Sequence, residues 1–358
     1  MGERRGKSAS GAHEAAAGSA ALLAEQACTS DDQIRAEIQL IREKLAANEA
    51  LLNESALRSG DTSDKQPVRA ESVPDGNLGS ASGCYVYGII GGGGDLPHGD
   101  LTDAGIDPAN PIHLVAHQDI QAVVSSVSLG EFGEEALESN LNSIEWLTAK
   151  VRNHQNVLDR LSAIRTVIPM RFCTIYCSEH RVQEMLAQHY DDFSSALVRL
   201  EGKQEWGVKV YCAPQVLSEK AAEISDVAKS LTSELAEKSE AAAYFVKKKI
   251  DDAVSAEAER ITDEVVQDSH NRLWMRSWEA VVNPAQSRKV TRREEDMVLN
   301  GAYLVSRECT EAFETELDDL RKKYVGLGFS YELSGPWPPY SFASAVGRED
   351  PVDEPVCT

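Results

Sequence analysis

Three prolines within four residues constrain this chain more than any other feature. They lie in Gly335-Pro-Trp-Pro-Pro-Tyr-Ser-Phe342, which follows directly on the strand-like run Phe329-Ser-Tyr-Glu-Leu-Ser334. Proline has no N–H to give to a sheet ladder and cannot continue a helix. The chain is therefore expected to leave its sheet here as a stiff, extended segment. Trp337, Tyr340 and Phe342 then stand on a backbone with little freedom left to lose. Aromatic side chains so placed cover either the core of their own domain or a partner. The expectation is that Trp337 is structural and that Tyr340 or Phe342 is shared with a partner.

A chain of 358 residues can hold two or three domains. Its 42% hydrophobic and 26% charged residues are those of an ordinary globular protein. The formal charge of -22 argues against nonspecific binding to nucleic acid and against attachment to an anionic membrane, since both require a basic face. No apolar run approaches the ~20 residues of a membrane span. Arg4, Arg5 and Lys7 have no apolar stretch behind them, so the beginning does not read as a secretory signal. Seven cysteines scattered over the chain read as reduced thiols in a cytoplasmic protein.

Residues 1–30, rich in Ala, Gly and Ser, lack the large apolar side chains of a core and read as disordered. From Asp31, Ile34, Ile38, Ile41, Leu45 and Leu52 recur at alternating spacings of four and three, with Asn48 in the remaining seam position. This reads as a coiled-coil-like helix over 31–58, with Asp31 and Asp32 at its N-terminus. It can self-associate, dock a partner, or lie on its own chain. Residues 59–83, full of Ser, Gly, Asp and Pro, read as a linker.

Two globular halves follow, 84–203 and 204–334, ahead of a Pro/aromatic segment and acidic tail at 335–358. In the first, Cys84–Ile90 is a strand, and Ile112–Ala116 and Ile120–Ser125 are two more, joined tightly through His117-Gln-Asp119. A helix is expected from Glu135 to Ser162, with Leu137, Leu141, Ile144, Leu147, Val151, Leu158 and Leu161 as its buried stripe. Val167-Ile-Pro-Met-Arg-Phe172 reads as an edge strand, and two helices, 179–188 and 191–200, close the half. In the second half, Trp206, Val208 and Val210 alternate with Glu205, Lys209 and Tyr211 in a strand. A long helical region to Trp274 follows, then strand Met297–Val305, helix Glu308–Tyr324 and strand Phe329–Ser334. The fold class expected is α+β, with ferredoxin-like split βαβ units in both halves.

The search for chemistry is brief. Gly88-Ile-Ile-Gly91-Gly-Gly-Gly94 is not a dinucleotide fingerprint, because Asp95-Leu-Pro-His stands where a phosphate-binding helix would open. His113 and His117, four apart on a strand, read as surface residues. Cys173, Cys177 and His180 form the one compact set of soft ligands, without a nearby fourth; buried thiols are the simpler reading. No catalytic, cofactor-binding or metal-binding residue is assigned.

Several stretches in order are familiar: Tyr85-Val-Tyr-Gly-Ile-Ile90, Glu145-Trp-Leu147 with His154, Val167-Ile-Pro-Met-Arg-Phe172, Glu205-Trp-Gly-Val-Lys209, Leu299-Asn-Gly-Ala-Tyr-Leu-Val305 and Gly335–Phe342. Together they resemble the gas vesicle protein F/L family over about residues 84–343. The resemblance implies two domains with ferredoxin-like elements and a non-enzymatic role in assembling gas vesicles. It also implies association with the small hydrophobic shell protein and with other accessory proteins. Ala241-Ala-Ala-Tyr-Phe245 departs from it by an alanine before the aromatic pair, and nothing carries over to the N-terminal extension. F-type and L-type readings both stay open. So do two other classes: a small-molecule-sensing regulatory module, and a metal-dependent enzyme built on Cys173, Cys177 and His180.

Overall fold

A computed structural model describes residues 82–92, 105–235, 239–291 and 293–343. The expected helix over 31–58, with Ile34, Ile38, Ile41, Leu45 and Leu52, lies outside the described residues, as do Asp95-Leu-Pro-His and the acidic tail. The chain forms two compact units. One holds the described residues up to Ala163 together with Met170–Gln188. The other holds Ile164–Pro169 and the described residues from His189 onward.

In the first unit, β1 (Ser82–Gly91) pairs antiparallel with β3 (Ile120–Ser128), which pairs with β2 (His113–His117). Pairing of His117 with Ile120 leaves only Gln118 and Asp119 between the strands, and Gln118 takes a φ of 51°. This is the tight connection expected from the sequence; positive φ at the turn matches the twist of the two strands. Two short helices follow, α1 (Leu129–Phe132) and α2 (Glu134–Leu141), before α3 (Ile144–Ile164). The single helix expected over 135–162 is thus broken at Asn142-Ser143, and the Ser143 hydroxyl accepts the Trp146 N–H at 3.4 Å as a new helix starts. Ile144 is exposed, and α3 buries Leu147, Val151, His154, Val157, Leu158 and Leu161. The expected strand Val167–Phe172 is shorter. As β4 it covers Val167–Pro169, which belongs to the second unit, after which the chain returns to the first as β5 (Ile175–Tyr176), a partner of β1. The unit's last helix is α4 (Glu179–Gln188).

The second unit opens on α5 (Tyr190–Leu200) and β6 (Lys203–Cys212). Three helices, α6 (Pro214–Ile224), α7 (Asp226–Leu235) and α8 (Glu240–Trp274), occupy the expected helical region. Then come β7 (Glu279–Val282), the short α9 (Arg288–Thr291), β8 (Asp296–Ser306), α10 (Thr310–Tyr324) and β9 (Phe329–Trp337). The sheet runs β7-β8-β6-β9, with every neighbouring pair antiparallel. Alternation puts Trp206, Val208, Val210 and Cys212 on one face, with Leu299, Tyr303 and Val305 beside them. Helices cover that face through Leu217 and Ala221, Ile261 and Val265, and Phe313, Leu317 and Leu320. Gly301 in the Asn-Gly-Ala-Tyr run has a direct reason: a Cβ there would lie 2.6 Å from the Tyr303 ring, which folds across it.

The proline segment does not leave the sheet where expected. β9 continues past the Gly335–Pro336 cis peptide, and Trp337 pairs with Glu205 of β6. The register shifts between Glu205 and Gly207, so the strand accommodates Pro336 at an irregularity where no regular ladder bond is asked of it. Gly335 sits at φ 122°, and a Cβ on it would meet the Glu205 carbonyl oxygen at 2.9 Å. A glycine is required to bring the strand back into register.

Candidate interaction surfaces

Beyond Trp337 the chain ends its described course in α11 (Tyr340–Ala343), and two side chains hold it down. Glu205, buried in β6, accepts the Ser341 backbone N–H at 2.8 Å and the Ser341 hydroxyl at 2.7 Å. Burial pushes this carboxyl up to about 7, against the lowering effect of those two hydrogen bonds. Arg199 of α5 reaches across to Glu279 at 2.7 and 2.9 Å, and its other nitrogen donates to the Phe342 carbonyl at 2.5 Å. Pro338, Pro339 and Phe342 are buried, while Trp337 and Tyr340 are half-buried. The Trp337 indole N–H donates to the Ser334 hydroxyl at 3.3 Å. Of the three aromatics singled out in the sequence, Phe342 is only 3% exposed and serves the fold. Trp337 and Tyr340 remain partly exposed. Truncation of Phe342 to alanine is expected to cost the second unit about 3 kcal/mol, read as the shift of a urea midpoint at constant slope.

The first unit has a buried polar cluster. Tyr85 and Tyr87, two apart on β1, point to the same side and are fully buried with His154 of α3. The imidazole also hydrogen-bonds the Met170 carbonyl, which can only accept, so the ring carries its proton on that side. Its Nδ1 then accepts from the Tyr85 hydroxyl at 2.9 Å, and that hydroxyl accepts the Cys173 N–H at 3.1 Å. Tyr87 shares its hydroxyl with Ser125 at 2.8 Å and accepts the Ile106 N–H at 2.8 Å, and its main-chain carbonyl accepts the Met170 N–H. Complete burial lowers the His154 pKa to about 3, so the ring is neutral. The network pins the turn after Pro169, including Cys173 at φ 62°, onto α3 and β1. It is a structural lock rather than an open site. A sequence signal for it existed, because His154 falls in the 4-3-4-3 spacing of Leu147, Val151, Leu158 and Leu161.

Cys173, Cys177 and His180 are not brought together. Among the described residues no group of three or more His, Cys, Asp or Glu side chains could hold a metal ion. Among the described residues Cys84, Cys212 and Cys309 are free thiols, whereas Cys177 is disulfide-bonded, a departure from the reduced state expected for all. His180 lies exposed beside Glu184 at 3.4 Å, and His113 pairs with Glu179 at 2.8 Å.

One surface escaped the sequence reading. Around the unforeseen strand β7 stand Trp274, Met275, Trp278, Val281 and Val282, with Met275 81% and Trp278 69% exposed. Lys203 places its ammonium 4.4 Å from the centre of the Trp278 ring. A second exposed pair, Tyr244 and Phe245, lies edge-to-face near the start of α8.

Residues 83–344 match the family model described as "Gas vesicle synthesis protein GvpL/GvpF". The chain belongs to this family. It is 29% identical over 268 residues to gas vesicle protein L of Streptomyces sp. (strain CB03234), covering 74% of this chain and 94% of that one. It is 25% identical over 270 residues to gas vesicle protein F1 of Halobacterium salinarum, covering 74% and 95%. The fold is similar to the crystal structure of the gas vesicle protein GvpF from Anabaena sp. PCC7120, with a TM-score of 0.57 at 18% identity, covering 73% of this chain and 98% of that one. The corresponding Microcystis aeruginosa structure gives 0.52 at 20% identity, with the same coverage. The stretches quoted for the resemblance supply much of the architecture of this fold. Tyr85, Tyr87 and His154 form the first unit's lock, and Glu205 and Gly301 shape the second sheet.

Proposed function

We propose that this protein is a non-enzymatic assembly factor for gas vesicles, one that binds the small hydrophobic shell protein and other accessory proteins. The observation that carries the reading is the family match over residues 83–344. The exposed apolar side chains of the second unit agree with it, since an apolar subunit needs a cover before it is built into a wall. The protein then works in the cytoplasm at the growing vesicle; no helix among the described residues is long and apolar enough to cross a membrane. Each half is read as ferredoxin-like. In the second, the sheet takes its strands in the order second, third, first, fourth, with helices over one face, which supports that reading.

Trp337 and Tyr340 are the partner contacts proposed for the C-terminal segment, with Phe342 buried in the fold. Residues 31–58, through Ile34, Ile38, Ile41 and Leu45, are proposed to govern self-association or partner docking. The test is co-expression of the tagged full chain with the small shell protein, with and without residues 1–83. The full chain is expected to retain the shell protein through purification. Tyr340→Ala is expected to weaken that capture while leaving the melting temperature in place. Absence of capture by the intact chain would overturn the assignment of the partner. Equal capture by Tyr340→Ala would remove only this residue from the contact.

A further inference from the structure

The first turns of α8 carry an exposed face whose charges have no partner among the described residues. Over residues 241–256 the charged side chains are Lys247, Lys248, Lys249, Asp251 and Asp252. All five are exposed, and none of the five side chains enters an ion pair or a hydrogen bond. Their surroundings behave otherwise. Further along the same helix Arg260 binds Glu257 and Glu264 at 2.8 and 3.0 Å. On α7, which packs against α8, Lys229 lies 3.8 Å from Asp226, and Glu234 also has a partner. Within α8 the lysines precede the aspartates by four residues, which is the weaker order for a pair on one helix.

Helical spacing sorts this face into two adjacent stripes. Tyr244, Lys248, Asp251 and Ser255 follow one another at intervals of four, three and four. Phe245, Lys249, Asp252 and Ala256 repeat the same order one residue on. Each stripe reads aromatic, cation, anion, small residue. Tyr244 and Phe245 are 69% and 66% exposed, whereas Val246, Ile250 and Val254 on the other side are partly buried.

Such a face complements itself when reversed. In an antiparallel copy centred at the height of Ile250, the first stripe meets the second. Lys248 then falls opposite Asp252, and Asp251 opposite Lys249. Tyr244 falls opposite Ala256, and Ser255 opposite Phe245. Both lysines of the stripes meet carboxylates, both rings meet small side chains, and two-fold symmetry repeats every contact. Lys247 falls opposite Ala253 and stays in solvent. A parallel copy would set lysine against lysine, and a partner of one charge sign would be repelled by half of the face. The charge order therefore selects a second, antiparallel copy as the occupant.

We propose that two copies of this chain associate through the start of α8, antiparallel over residues 244–256, with Tyr244 and Phe245 of each copy seated on the small residues of the other. A contact of this length is small, so the dimer is weak and forms as concentration rises. This goes beyond the assembly role above. It is a property of the chain itself, and it uses neither residues 31–58 nor the C-terminal aromatics.

The test follows the full chain by sedimentation and by amide hydrogen exchange over a series of concentrations. The mass is expected to rise from that of one chain toward that of two, with exchange over residues 244–256 slowing in step. Lys248→Asp with Lys249→Asp sets aspartate against aspartate, and Asp251→Lys with Asp252→Lys sets lysine against lysine. Each double variant alone is expected to dimerise about tenfold more weakly than the wild type, or worse. An equal mixture of the two is expected to associate at least as tightly as the wild type, because each now complements the other. Phe245→Ala is expected to weaken the dimer, whereas Val325→Ala, at a residue 66% exposed elsewhere in the same unit, should not. Melting curves of every variant separate lost fold from lost contact. A single-chain mass at every concentration would overturn the proposal. So would a dimer that both double variants retain, which would point to residues 31–58, or a mixture no tighter than its components. Slow exchange over 244–256 that does not change with concentration would overturn it in favour of a segment of the same chain lying on this face.

Discussion

Replacing His154 with glutamine is expected to remove most of the acid lability of the first unit. The ring is completely buried, and its pKa falls from the ordinary 6.5 to about 3. Between those values the unfolded chain binds a proton that the folded one refuses. Stability therefore falls as pH drops from 6.5 toward 3 and is flat above 6.5. At about 1.4 kcal/mol per pKa unit, the full window is worth on the order of 5 kcal/mol. That is a large part of the stability of a domain this size. Glutamine keeps a neutral polar side chain in the network but has no proton to gain. It should cost about 1–3 kcal/mol at pH 7.5, where the bonds of the imidazole to Tyr85 and Met170 are lost or weakened. The deficit should shrink as pH falls and reverse near pH 4, a swing of roughly 3 kcal/mol. Urea unfolding of both proteins from pH 4 to 8 measures it. A constant difference across that range would show that His154 is not the group responsible.

Glu205→Gln is expected to act in the opposite direction, in the other unit. The folded pKa of this carboxyl is raised from 4.5 to about 7, so the folded protein holds a proton that the unfolded chain has released. Stability falls as pH rises through that window and is flat below 4.5 and above 7. At pH 8 the wild-type protein carries a buried carboxylate whose bonds from Ser341 do not fully offset its burial, a cost on the order of 3 kcal/mol. The amide oxygen of glutamine can accept the Ser341 N–H, and its NH2 can donate to the Ser341 hydroxyl, without any charge. The variant should therefore be the more stable protein at pH 8 and lose that advantage near pH 4.5. If it is less stable at pH 8, the carboxylate is being held by a cation rather than merely tolerated. Over pH 4.5–6.5 the two groups oppose each other, so the wild-type profile alone conceals both, and each variant has to be compared with it separately.

Local pattern in the sequence determined a good deal of this fold. Alternation placed Trp206, Val208 and Val210 on one face of a strand, and Gln118-Asp119 marked a hairpin. The 4-3 spacing of α3 identified its buried stripe, because the side-chain periods of helix and strand are properties of the backbone itself. The order of the quoted stretches also placed the chain in its family. What pattern could not carry was anything set by a neighbour distant in the chain. The rule that proline gives no ladder hydrogen bond holds for Pro336, yet the chain stays in the sheet to Trp337. The irregularity opposite Glu205 and a left-handed Gly335 take up the misfit there. β7 is four residues long, too short for an alternation to register, and it exists because β8 offers a partner edge. Phe342 was indistinguishable from Tyr340 in the sequence. One is buried and the other half-exposed because Arg199 and Glu205, from elements well over a hundred residues earlier, hold the main chain between them. Periodicity is written residue by residue. Burial, charge state and the freedom of an edge depend on which distant segments arrive beside it, and the tertiary structure alone decided those.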